Sequence, residues 1–148
     1  MTYTTNFSIE DLRFDNYGLI PAIAQDWLDG SILMLAWMNK ESLTMTLETK
    51  NVHYWSRSRS EIWRKGATSG STQILKEIRF DCDNDAIILL IEQNGSGACH
   101  TGEKSCFFNE IQINQNDKKE KKTTPFSNIC SELFNTINER SINPSEKS

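Results

Sequence analysis

The sequence predicts an α+β domain, rich in antiparallel strands, with one main helix and a further helix near the C-terminal end. Three observations lead there. Between residues 19 and 113 most apolar residues fall in runs of strand length, punctuated by Gly, Asn and Asp. One segment, 40–50, joins helical spacing to an N-capping residue. After residue 113 the composition turns polar and charged before helical spacing returns.

Taken in order, Ile9 to Phe14 is expected to hold a short leading helix. Leu19 to Gln25 and Trp27 to Met38 read as a hairpin, because Asp29-Gly30 between apolar runs favours a tight turn. Asn39 can cap a helix over Lys40 to Lys50, with Leu43 and Leu47 on one face and Thr, Glu and Lys on the others. Short extended stretches follow at His53-Tyr54-Trp55 and Glu61 to Lys65. Ile74 to Phe80 alternates as a half-buried strand does, and Ala86 to Ile91 is a continuous apolar run. Asn94 to Gly97 is a turn, and Cys106 to Ile113 reads as a last strand. Residues 1–113 thus form the main domain. Residues 114–124, with Lys118-Lys119-Glu120-Lys121-Lys122, are a solvated linker. Within 125–148, Phe126, Ile129, Leu133 and Ile137 recur at helical spacing, and Cys130 falls on the same stripe.

Composition excludes several classes. The 148 residues are 37% hydrophobic, enough for a core, and carry a net charge of −4, which argues against a nucleic-acid binder. No apolar run has the length of a bilayer span, and Met1 to Glu10 lacks the pattern of a secretory signal. A cytoplasmic protein is the expectation, in which the four cysteines serve as ligands, nucleophiles or core residues and not as disulfides.

Three clusters carry chemistry. In Asp81-Cys82-Asp83-Asn84-Asp85 the carboxylates repel one another, and Mg²⁺ is the natural counterion. Asp81, Asp83, Asp85 and Glu92 fit the spacing of a calcium loop, but Ala86 stands where that loop needs glycine, and a strand-like run follows. In an extended chain Asp81 and Asp85 would lie ~13 Å apart, so either the segment bends or water completes the shell. The second cluster is Cys99-His100-Thr101-Gly102-Glu103-Lys104-Ser105-Cys106. With Cys82 it offers three thiolates to Zn²⁺, leaving an open position for water; His100 either completes the ligand set or carries a proton. Buried, unligated cysteines are the plainer alternative. The third cluster sets Trp55-Ser56-Arg57-Ser58-Arg59 beside Trp63-Arg64-Lys65-Gly66-Ala67-Thr68-Ser69-Gly70. Its donors suit phosphate oxygens and its indoles suit a base, although exposed basic strands would read the same way.

Together with Gly18-Leu19-Ile20-Pro21 and Met34 to Asn39, and with Ala98 to Gly102, these motifs occur in an order that resembles the phosphoribosyl-AMP cyclohydrolase family. The resemblance runs from about Gly18 to Phe107. It implies a dimeric cyclohydrolase-type fold, with active sites shared across a homodimer. Zinc would be held by Cys82 of one chain with Cys99 and Cys106 of the other, and Mg²⁺ by Asp81, Asp83 and Asp85. The implied reaction opens the N1–C6 bond of the purine in 1-(5-phosphoribosyl)-AMP, a step of histidine biosynthesis. Zinc-bound hydroxide attacks C6, and His100 moves the proton. Trp55, Arg57, Arg59, Lys65, Thr68 and Ser69 are the expected substrate contacts. Ala67 departs from the glutamate of the family's Lys-Gly-Glu-Thr-Ser-Gly form, which leaves the donors in place.

Leu133 to Arg140, followed by Asn143 to Ser148, is similar to the opening of phosphoribosyl-ATP pyrophosphohydrolase, an enzyme that some organisms fuse behind the cyclohydrolase. Its metal-binding helices have no counterpart in these 148 residues, so no pyrophosphohydrolase activity is expected of them. Two rivals complete the reading: a non-catalytic zinc-stabilised binding module with a closed site, and a nucleoside deaminase, whose H-x-E and P-C-x-x-C signature does not occur.

Overall fold

The computed structural model describes residues 7–113, together with Leu133, Thr136 and Ile137. Its elements are β1 (Leu19–Asp26), β2 (Ile32–Asn39), α1 (Lys40–Thr49), β3 (His53–Ser56), β4 (Glu61–Arg64), β5 (Gln73–Phe80) and β6 (Ile87–Gln93). The strands make one six-stranded sheet in the order β4-β3-β2-β1-β6-β5. Adjacent hairpins account for β1·β2, β3·β4 and β5·β6, all antiparallel. The β1·β6 contact is parallel, so the sheet is mixed and not purely antiparallel. A parallel neighbour needs a long crossover, and here everything from β2 to β5 supplies it.

The helix forms where its cap predicts. Asn39 accepts from the Ser42 amide at 2.8 Å, and the Ser42 hydroxyl accepts from the Asn39 amide at 3.0 Å. At the other end Lys50 takes the left-handed conformation, φ 61°. The helix buries Ser42, Leu43 and Thr46, and the Thr46 hydroxyl accepts from the His53 amide at 2.9 Å, tying α1 to β3.

Alternation gives the sheet two faces. Ala22 and Ala24 of β1, with Ile87, Leu89 and Ile91 of β6, are buried together with Leu43, Val52 and Tyr54. On the reverse face the register lines Leu35 up with Ile23 and Ile88, and Trp55 with Trp37 and Pro21. This second face is apolar but incompletely covered: Leu35 is 47% exposed.

Three expectations are corrected. The leading helix is a 3₁₀ turn over Ile9–Asp11. Trp27 lies in the turn after β1 and not in β2. Cys106 to Ile113 is not a strand: the Cys106 amide donates to the Leu33 carbonyl at 2.7 Å, but no strand follows, and Ile111 and Ile113 are exposed. Alternation makes a strand only where an edge accepts it, and among the described residues the pairing beside β2 stops at Cys106. The linker 114–124 and the helix expected over 125–148 lie outside the described residues, apart from Leu133, Thr136 and Ile137.

Candidate metal centres and substrate groove

The loop from Ala98 to Cys106 is closed by its own backbone. The Ala98 amide donates to the Lys104 carbonyl at 3.1 Å, and the Cys99 amide to the Glu103 carbonyl at 3.2 Å. Gly97 makes this closure possible: at φ 145°, a Cβ on it would stand 2.3 Å from the Glu103 oxygen. Lys104 pairs with Asp29 in the β1–β2 turn, and the Ser105 hydroxyl donates to the Ile32 carbonyl at 2.8 Å, so the loop is bolted to the start of β2.

That closure brings the Cys99 and Cys106 side chains close enough for each to influence the other's ionisation. The Thr101 hydroxyl donates to the Cys99 sulfur at 3.0 Å. This bond, followed by the Thr101 amide, holds the Cys99 thiol below the ordinary cysteine range. Burial, then the Cys99 sulfur, push Cys106 up. Two soft donors on one closed loop fit Zn²⁺. His100 stands exposed at the loop's tip.

The acidic segment bends, as one of the two sequence alternatives requires. Asn84 adopts φ 66°, and Asp81 Oδ1 accepts from the amides of Asp85 at 3.0 Å and Ala86 at 3.2 Å. Asp81, Asp83 and Asp85 thereby present oxygens within 4.8 Å of one another. Burial opposes ionisation of Asp81, but the Ala86 and Asp85 amides and the neighbouring carboxyl groups outweigh it and keep its pKa low. The charge of Asp83 first, then burial, push Asp85 up. Exposed, mutually repelling oxygens fit a hard divalent cation such as Mg²⁺.

Cys82 is exposed within this acidic turn, before β6, whereas the 98–106 loop follows β6. β6 alone spans ~20 Å. Among the described residues, Asp81, Asp83 and Asp85 are the one group of three or more such ligands brought within reach of a single ion. Cys82 does not join Cys99 and Cys106 inside one chain.

The substrate contacts expected from sequence separate into different places. Trp55 and Arg57 line a groove of about 510 Å³ with Asp15, Tyr17, Leu19 and Trp37. The Arg57 guanidinium lies 4.9 Å from the centre of the Trp37 ring. The groove continues past Asp15, Leu19 and Trp37 into a hollow of about 360 Å³ that also reaches Arg13 and Asp85. Arg59 stands in the β3–β4 turn, paired with Glu61 at 3.2 Å. Thr68 and Ser69 are exposed in the turn before β5. Lys65 is turned inward, 9% exposed, and donates to the Ala98 carbonyl at 2.7 Å. Burial pushes its pKa down, against the pull of Cys106 and Cys99.

Sequence reasoning missed Asp15, Tyr17 and Trp37 as groove residues. Trp37 had a usable signal, since an indole at the end of an apolar strand next to another Trp-bearing strand suggests a stacking surface. Asp15 and Tyr17 are positioned by an irregular loop, in which the Asp15 carboxylate accepts from the Tyr17 and Leu19 amides at 2.8 and 2.9 Å.

Comparison with known proteins adds an independent line. The sequence pattern of the family described as phosphoribosyl-AMP cyclohydrolase matches residues 34–108. The chain is 83% identical over its whole length to a histidine biosynthesis bifunctional protein HisIE of Prochlorococcus marinus subsp. pastoris, covering 67% of that protein. It is 63% identical over 142 residues to the protein of the same name from Prochlorococcus marinus strain SARG, covering 63% of it. Against the phosphoribosyl-AMP cyclohydrolase of Trichormus variabilis, identity is 61% over 104 residues, covering 70% of this chain and 90% of the relative. The chain therefore spans about two thirds of the bifunctional relatives and nearly all of the shorter one.

Proposed function

Since the chain belongs to the phosphoribosyl-AMP cyclohydrolase family, we propose that it hydrolyses the N1–C6 bond of 1-(5-phosphoribosyl)-AMP in histidine biosynthesis, acting in the cytoplasm as a homodimer. The observation that carries this reading is the thiol pair that the closed 98–106 loop assembles, inside the stretch that the family pattern covers. Among the described residues no helix is long and apolar enough to cross a membrane.

Cys99 and Cys106 of one chain would hold zinc with Cys82 of a second, and Asp81, Asp83 and Asp85 would hold Mg²⁺. Two features support the second copy: Cys82 lies at the far end of β6 from the thiol pair, and the reverse face of the sheet leaves Leu35 half exposed. Zinc, when bound, makes water a nucleophile at neutral pH. The protein's own groups do the rest. The aromatic groove orients the nucleotide, with Trp37 and Trp55 offering ring faces and Arg57 a guanidinium for phosphate. His100, exposed at the loop tip, takes the proton of the attacking water and delivers one to N1 as the C6–N1 bond breaks. The ring is cationic when N1 carries the phosphoribosyl group, so C6 is electrophilic and N1 a competent leaving atom. The Mg²⁺ site opens toward the same groove through Asp85, which suits it to balance substrate phosphate charge.

The test is turnover of phosphoribosyl-AMP followed by ultraviolet absorbance, before and after zinc chelation. Ring opening should vanish with zinc and return on its replacement. A zinc-bound, Mg²⁺-supplied protein without turnover would overturn the proposal and favour a zinc-stabilised binding module.

A further inference from the structure

A lysine is among the costliest side chains to bury, because its ammonium is strongly hydrated and has no second role in packing. Lys65 is nevertheless 9% exposed, directly after β4. Its backbone is fixed: the Lys65 amide donates to the Val52 carbonyl at 3.0 Å. The next residue cannot drift either, since a Cβ on Gly66 would stand 2.3 Å from the Ser71 backbone. From this anchored position the ammonium crosses to the Ala98 carbonyl at 2.7 Å, and the Trp63 ring centre lies 5.9 Å from it.

Ala98 is the residue before Cys99, and its own amide is held by Lys104. The Lys65 bond therefore fixes the carbonyl of the peptide unit whose amide belongs to Cys99. Both Cys99 and Cys106 lie within electrostatic reach of the same ammonium. Thiolates that share a divalent cation over-neutralise it once there are three of them, and a nearby buried cation offsets the excess. Hydrogen bonds from outer groups hold a metal ligand's orientation, and a charge-assisted bond is the stronger kind.

We propose that Lys65 is a positioning residue of the thiolate site, holding the Cys99 peptide and offsetting thiolate charge, and that it does not grip substrate phosphate. This inference rests on the zinc reading of Cys99 and Cys106, and the experiment separates the two. Zinc affinity is measured by competition with a chromophoric chelator for the wild-type chain, K65M and K65R, with far-UV circular dichroism as the folding control. Phosphoribosyl-AMP kinetics are then run at saturating zinc. K65M should bind zinc ~10–100-fold more weakly than wild type, the range seen when outer partners of metal ligands are removed. Its KM at saturating zinc should stay near the wild-type value, and K65R, which keeps charge and donor, should retain most of the affinity. Unchanged zinc affinity in K65M overturns the proposal, as does equal loss in both variants or a raised KM without loss of zinc. A wild-type chain that binds no zinc sinks the underlying reading instead.

If K65M does not fold, acetylation of the wild-type protein decides the question. Pulse labelling read by mass spectrometry should show zinc slowing modification of Lys65 relative to the exposed Lys40, with no further slowing by substrate. Protection by substrate and not by zinc would assign Lys65 to phosphate after all.

Discussion

Cys82→Ser and Cys106→Ser, each inactive alone, should restore activity when mixed. The separation of the thiols sets the expectation. Sulfurs that share one zinc lie ~4 Å apart, whereas β6, which alone spans ~20 Å, separates the Cys82 turn from the loop of Cys99 and Cys106. On the proposed reading, each site takes Cys82 from one chain and the thiol pair from the other. Pairing C82S with C106S produces one site with both defects and one with none. After free exchange half the dimers are mixed, and each carries one intact site of two, so activity should return to about a quarter of wild type. The assay is cyclohydrolase turnover after unfolding and co-refolding equal amounts of the variants, with native mass spectrometry to count mixed dimers. Abundant mixed dimers without activity would refute the shared site, as would a monomeric wild-type chain with full zinc occupancy and turnover.

Other outcomes follow from the same geometry. Trp37→Ala removes the indole beneath Arg57 and should raise KM for phosphoribosyl-AMP about tenfold, since a base–aromatic stack is worth ~1–3 kcal/mol; zinc content serves as the control. Tyr54→Phe breaks the fully buried bond to Gln73 at 2.7 Å and leaves that acceptor unmatched, so urea unfolding should show a loss of ~1–3 kcal/mol. Asp85→Asn relieves repulsion from Asp83. The folded pKa of Asp85 is raised, so its ionised form disfavours folding above that pKa and costs nothing once pH falls below the unfolded value. The metal-free variant should therefore be more stable than wild type at neutral pH. That advantage should fade as pH falls through the raised pKa, while Mg²⁺ binding weakens throughout.

Much of the fold was legible because local signals agreed with the final packing. The Asn39 cap, the helix after it and the continuous apolar run of β6 each needed only neighbours in sequence. The parallel β1·β6 contact was not legible, since alternation reports which face is buried but not which strand lies alongside. Cys106 to Ile113 misled for the same reason. The candidate ligand residues stood out by type and spacing, but the bend that gathers Asp81, Asp83 and Asp85 depends on a left-handed Asn84, which sequence permits without requiring. Lys65 sits in a donor-rich motif that suggests phosphate, and only the fold shows it turned inward toward Ala98.

The place of β6 has a consequence for synthesis. β1 emerges early, yet one of its two edges stays open until β6 has been made, with β2, the helix, the β3–β4 hairpin and β5 in between. A nascent chain that stops short of Ile87 carries a central apolar strand with no neighbour on that side, a template for mispairing with other chains. Closing the sheet joins residues far apart in sequence, the slow kind of contact. The thiol loop follows directly after β6, so it is made only after every strand of the sheet. On the proposed reading, zinc could be held there only once the last strand has been made, whereas the acidic turn of Asp81, Asp83 and Asp85 precedes that strand.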